Sequence, residues 1–498
     1  MDRQAPALPR ISTGSDGLDD VLNGGLIANC LYLVDGDPGS GKTTLGLQFL
    51  LDGKKHGETG LYVTLSETRE ELIRVAQSHG WDLSGIAIHE LLPSEESLSS
   101  DSQYKMFHPS EVELAETTKR ILSEVEKINP TRIVFDSLSE LRLLAQSPLR
   151  YRRQILALKQ FFVGRNCTVI LLDDKTGASD DLQPQSVAHG VITLYQLAPE
   201  YGAERRRLRV TKMRGVPFRG GYHDFVIRPG GLDIFPRLIA SEHKRTFPDE
   251  RVQSGVAEVD RLLGGGIDRG TSTLIIGPAG SGKSTLAAQY LIAAAERGEK
   301  GLIITFDESE RMIRKRLQSI DRPLDKHVEE GRIIIKQIDP AELSPGEFVQ
   351  TIRRAATIDG VGIVVIDSLN GYVNAMPEER FLTIQLHELL TFLGQRGVVT
   401  LMVVAQTGIM GAGMKAPGDS SYLADSVVLL RYFEARGEVR KAISVVKKRG
   451  GAHENTIREL KIDAEGIHVG EPLRNFHGVL TGVPTAHEGP KLANNKPG

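Results

Sequence analysis

A lysine followed by a hydroxyl residue closes a glycine-rich run twice in this chain. The first run is Gly36-Asp37-Pro38-Gly39-Ser40-Gly41-Lys42-Thr43-Thr44, and the second is Gly277-Pro278-Ala279-Gly280-Ser281-Gly282-Lys283-Ser284-Thr285. Glycines permit positive φ and let several backbone N–H groups converge on one point. If a helix opens at the lysine, its free amides and its dipole add partial positive charge there. Such a cradle suits the phosphates of ATP. Lys42 and Lys283 would reach the β- and γ-phosphates, and Thr43 and Ser284 would ligate Mg2+. A carboxylate must support that ion. Asp136 in RIVFDS and Asp367 in IVVIDS each close an apolar run, where a carboxylate can hold the Mg2+ shell. Helix capping would explain either aspartate alone; beside the two loops the Mg2+ role is the stronger reading.

Hydrolysis also needs a group to orient or deprotonate water. The candidates follow the next apolar run: Ser66 and Glu67 in TLSET, and Asp307 and Glu308 in TFDES. The same residues suit the start of a helix, and the two uses are compatible. Glu67 and Glu308 occupy matched positions and are the expected catalytic residues, with Asp307 beside the second.

The elements that must hold these residues also come in pairs. TGSDGLDDVLNGGLI (13–27) recurs as SGVAEVDRLLGGGID (254–268), RIVFDSLSEL as GIVVIDSLNG, and TKMRG (211–215) as VKKRG (446–450). Landmarks repeated in one order mark a duplicated domain. Within each half, short apolar runs bounded by turns alternate with helical patterns, which predicts an α/β fold with a mainly parallel sheet buried on both faces. The late runs VAHGVITLYQL and RLRVTKMR lie close together, so an antiparallel edge is expected. The polar stretch RLIASEHKRTFPDERV (237–252) carries the boundary, giving domains at 1–247 and 248–484 and a disordered polar tail at 485–498.

The 498 residues carry a net charge of −3, which offers no bulk attraction to nucleic acid or to an anionic membrane. Cys30 and Cys167 both lie in apolar runs, no apolar run nears the roughly 20 residues of a membrane span, and MDRQAPALPR lacks a signal core. These features predict a cytoplasmic protein.

Together the paired openings, the GxxGSGK[TS] loops, the SET and DES segments, the FDS and IDS aspartates and the K-x-R-G motifs resemble the KaiC family. The likeness spans about Ile11 to Pro484. It implies two tandem RecA-like P-loop NTPase domains, a homo-hexameric double ring with ATP between neighbours, and a signalling or clock role. By position, Lys212 and Arg214 would contact the neighbour's nucleotide in the first ring, and Lys447 and Arg449 in the second. The family's second ring phosphorylates itself on a serine–threonine pair, which places Ser421 on the serine; a one-residue slip would add Ser420. Tyr422 stands where the family has threonine, and Ser66 where it has a first glutamate. The tail carries no amphipathic stretch of the kind that binds KaiA, so a KaiB-like partner is the one the resemblance leaves. A DNA-directed RecA-type motor shares the core fold, and the RRRLR run (205–209) is its best support. An ATP-locked scaffold without kinase activity is the other alternative.

Overall fold

The computed structural model describes residues 8–91, 109–145, 147–174, 183–199, 202–320, 324–339, 341–374, 382–406, 422–479 and 485–486. Ser420 and Ser421, most of the 93–110 segment, residues 407–419 and the tail beyond residue 486 lie outside the described residues. The chain divides into two compact units, Met1–Arg237 and Leu238–Gly498. Residues following Arg237 pack on the second unit: Leu238 and Ala240 join its core, the Ala240 amide donates to Glu388, and His243 stacks edge-on against Phe392.

Among the described residues the main sheet of the first unit has nine strands. They are β1 (Leu31–Gly36), β2 (Gly60–Thr64), β3 (Ala87–Glu90), β4 (Arg132–Asp136), β5 (Thr168–Asp174), β6 (Gly190–Leu197), β7 (Arg205–Met213), β8 (His223–Arg228) and β9 (Gly231–Phe235). Their order across the sheet is β9-β8-β7-β6-β1-β5-β4-β2-β3. β6 through β3 run parallel, and β7, β8 and β9 form the antiparallel edge. Strand alternation splits the apolar residues between two cores. Tyr32 and Val34 of β1 face one layer with Leu45, Phe49 and Tyr62; Leu31 and Leu33 face the other with Tyr151, Ile155 and Leu158. Helix α1 (Lys42–Lys55) carries buried residues around most of its first three turns because it lies directly on the sheet. Helix α2 (Arg69–Ser78) starts at a reciprocal capping box, in which Thr68 and Glu71 satisfy each other's backbone amides.

The second unit repeats this plan. Its strands are β10 (Ser272–Gly277), β11 (Lys300–Thr305), β12 (Ile333–Gln337), β13 (Val361–Asp367), β14 (Val399–Ala405), β15 (Ser426–Ala435), β16 (Glu438–Lys448), β17 (Arg458–Asp463) and β18 (Gly466–Pro472). The order β12-β11-β13-β14-β10-β15-β16-β17-β18 matches the first sheet strand for strand. Helix α3 (Lys283–Glu296) covers it as α1 covers the first, and helix α4 (Glu310–Gln318) begins at Ser309, whose hydroxyl accepts from the Met312 amide. Both sheets are therefore mainly parallel, with helices on their faces and an antiparallel edge.

Candidate functional site

Each phosphate loop leaves the carboxyl end of the central parallel strand and enters a buried helix. Gly41 and Gly282 precede the helical lysines with φ of 98° and 104°, in the left-handed region that glycine occupies without strain. The strand-end glycines have a different cause. A Cβ on Gly36 would come within 2.6 Å of the Leu194 carbonyl oxygen, and one on Gly277 within 2.8 Å of that of Leu430. The Ser40 and Ser281 hydroxyls are buried inside the loops without a hydrogen-bond partner.

In the first unit, the Lys42 ammonium turns back on its own loop. It donates to the Gly36 and Asp37 carbonyls at 3.0 and 2.8 Å and pairs with Asp174 at 2.7 Å. Thr43 Oγ1 donates to Asp136 Oδ2 at 3.1 Å, and the Tyr62 hydroxyl donates to the same oxygen. Burial pushes the Asp136 carboxyl up, against the pull of these two hydrogen bonds. Burial, reinforced by the Asp136 charge, also drives the Tyr62 hydroxyl well above its ordinary range, so it stays a donor. A hydroxyl and a buried carboxylate held together beside a phosphate cradle suit a Mg2+ ion that takes its other ligands from phosphate and water. Among the described residues no cluster of three or more His, Cys, Asp or Glu could hold a metal by itself.

In the second unit, Lys283 donates to the Pro278 carbonyl at 2.8 Å, and burial lowers its pKa despite the nearby Asp367. Asp367 is pushed up by burial and pulled back by its bond from Ser284. The residue matching Asp174 is Ala405, the last of β14.

The two glutamates are placed by one local device. Thr64 Oγ1 donates to the Glu67 carbonyl at 2.7 Å and accepts from the Glu67 amide at 2.9 Å. Thr305 does the same for Glu308, at 2.7 and 3.2 Å. Beyond that turn the sites differ. Glu67 keeps one buried oxygen without a partner, and burial, followed by the Asp136, Glu71 and Asp174 charges, pushes its carboxyl up to about 7. Glu308 is gripped by Arg316, whose Nε and Nη2 donate to its two oxygens at 3.2 and 2.6 Å. Asp307 accepts from Ser368 Oγ at 2.8 Å.

The comparison with known families fits this geometry. The family model described as "ATPase: KaiC" matches residues 11–239 and again residues 252–474. This chain belongs to the KaiC ATPase family. It is 27% identical over 487 residues to the circadian clock oscillator protein KaiC of Parathermosynechococcus lividus, covering 96% of this chain and 88% of that one. It is 26% identical over 489 residues to the circadian clock protein KaiC3 of Synechocystis sp., covering 97% and 96%. KaiC of Synechococcus elongatus gives 26% over 484 residues, covering 96% and 92%.

The K-x-R-G cations lie at the far end of each sheet from its own phosphate loop. Lys212 is opposite Val191, which is beside Leu33, whereas Gly36 is beside Leu194. Lys212 is thus three residues, about 10 Å, down the strands from the loop, and Arg214 about 16 Å. Lys447 is likewise opposite Val427, beside Leu274, three residues before Gly277. Within the chain these groups meet backbone oxygens. Lys212 donates to Gln185, Ser186 and Ala188, Arg214 to Ser186, Lys447 to Ala424, and Arg449 to Tyr422 while facing the Asp425 carboxylate at 3.4 Å.

Tyr62, Asp174 and Arg316 escape a reading based on recurrence. Their counterparts are Ile303, Ala405 and Val75, so only the differences between the halves point to them.

Proposed function

We propose that this chain is an ATP-hydrolysing double-ring assembly, a homo-hexamer with ATP between neighbouring copies, whose second unit phosphorylates itself. The observation that carries the reading is the position of Lys212, Arg214, Lys447 and Arg449. Each pair lies too far from its own phosphate loop to serve it, and the arrangement occurs twice. A cation delivered in trans to the γ-phosphate stabilises charge in the transition state.

In the first unit the loop amides and Lys42, released from Asp174, bind the phosphates. Thr43 and Asp136, like Ser284 and Asp367, would hold Mg2+, which neutralises phosphate charge when bound. Glu67 orients the attacking water. The water oxygen bonds to the γ-phosphorus, the bond to the β,γ-bridging oxygen breaks with its electron pair leaving on ADP, and the water proton passes to the Glu67 carboxylate. In the second unit the acceptor is the hydroxyl of Ser421, with Ser420 as the alternative. Its oxygen bonds to the γ-phosphorus, ADP departs in the same way, and the hydroxyl proton passes to Asp307 of the Asp307–Glu308 pair.

The relatives are named as clock proteins. A timing or signalling output, a KaiB-like partner and a cytoplasmic setting follow by analogy with them. Among the described residues no helix is long and apolar enough to cross a membrane.

The test is incubation with Mg·ATP followed by phosphopeptide mapping of the segment with Ser420, Ser421 and Tyr422. Phosphate on Ser421, lost in Lys283→Ala while first-unit turnover persists, is the expected outcome. ATP consumption without phosphate there would leave an ATP-driven scaffold in place of the autokinase. Loss of all turnover in Lys283→Ala would show that the two units do not act separately.

A further inference from the structure

The two sites share their loops, their strand-end aspartates and the threonine-anchored turn that places each glutamate. They differ in what holds the glutamate's far end. Arg316 lies in the last turn of α4, eight residues after Glu308, which sits in the turn just before that helix. Its guanidinium grips both Glu308 oxygens, and its remaining Nη1 donates to Thr285 Oγ1 at 3.0 Å. Thr285 follows Ser284 on α3, so the fork is tied to the phosphate loop's own helix. The Arg316 and Glu308 charges both bear on Asp367, in opposite senses, which puts the pair inside the site. In the first unit the matching position on α2 is Val75, and Thr44, the counterpart of Thr285, lies 3.4 Å from His79 Nε2. Among the described residues none donates to the buried Glu67 oxygen.

We propose that Arg316 is a positioning residue that withholds Glu308 from taking the proton of attacking water, so that hydrolysis falls mainly to the first site. The argument rests on the reading that Glu67 and Glu308 face the reacting γ-phosphate. A bidentate guanidinium–carboxylate pair is directional and engages both oxygens. For Glu308 to receive a proton the fork must open, and the Thr285 bond holds it shut. Water attack is thereby slowed in the second unit. Val75 imposes no such restraint on Glu67.

The experiment uses the full chain and Mg·ATP. In a Glu67→Gln background, residual phosphate release reports the second site. Adding Arg316→Val should raise its kcat about tenfold, within the range over which a general base acts, with KM changed less than about twofold. Arg316→Lys, which keeps the charge but reaches one oxygen, should fall back toward the parent rate. The reciprocal variant Val75→Arg, in a Glu308→Gln background, should lower first-site kcat about tenfold, and Val75→Met, which keeps an apolar side chain against the core but offers no guanidinium, should not. An unchanged or lower rate in Arg316→Val, together with no effect of Val75→Arg, overturns the inference. Failure of the underlying reading looks different: Glu67→Gln and Glu308→Gln would then leave turnover at the parent level.

Discussion

At the scale of single residues, the two sites are chemically unequal. Glu67 titrates near 7 because burial and neighbouring acids disfavour its charged form. A base must be deprotonated to act, so first-site kcat/KM, which reports the free enzyme, should fall about tenfold per pH unit below about 7. Measured in Lys283→Ala, that slope should vanish in the added Glu67→Gln, with a loss of about 100-fold at pH 8. Persistence of the slope would assign the titration to another group. Asp174 offers a second test. Its pair with Lys42 must break before the lysine reaches a phosphate, and its charge opposes that of the nucleotide. The partner is a third exposed, so the pair is worth no more than about 1 kcal/mol, and Asp174→Ala should tighten first-site ATP binding about two- to fivefold. Trp81, the sole tryptophan, can report this, because it stacks 4.7 Å from His79, the ring beside Thr44. Weaker binding in the variant would mean that Asp174 serves the bound state.

At the scale of elements, strand–loop–helix geometry makes the cradle, and its cost is backbone conformation. Gly282 starts α3 at φ 104°, and a Cβ there would meet Ile462 Cδ1 of β17 at 2.3 Å. The side-chain tip can move aside, but the left-handed backbone cannot be relieved. Gly282→Ala should therefore destabilise the second unit by about 1–2 kcal/mol in denaturant unfolding and weaken ATP binding there. Unchanged stability would show that the loop tolerates another conformation. The antiparallel edges have a positioning role as well. β7 and β16 carry their K-x-R-G motifs back to the opening ends of the parallel strands, away from the local phosphates.

At the scale of the whole molecule, the proposed assembly makes nucleotide a ligand of the oligomer, so ATP should stabilise the hexamer by linkage. Lys42→Ala should lower the hexamer fraction seen by light scattering and blunt its dependence on ATP. Arg214→Ala should lower that fraction while leaving the first-unit fold intact. Equal scattering with and without ATP in the parent protein and in both variants would remove the nucleotide from the interface.

The chain alone determined what depends on local order along it. Glycine spacing, the hydroxyl after each lysine and the apolar runs before Asp136 and Asp367 establish two parallel α/β units with two phosphate cradles. Duplication made these features legible, since each landmark could be checked against its copy. Tertiary structure decided what depends on residues meeting across the sheet. Tyr62 reaches Asp136 from the neighbouring strand, Asp174 reaches Lys42 from beside β1, and Arg316 closes on Glu308 and Thr285 from α4. None of these contacts recurs in the other half, so a search for repetition passes over them. The physical reason is that a cradle is made by backbone conformation, which a short motif encodes. The charge around it is set by side chains from separate elements, which come together only when the sheet is assembled.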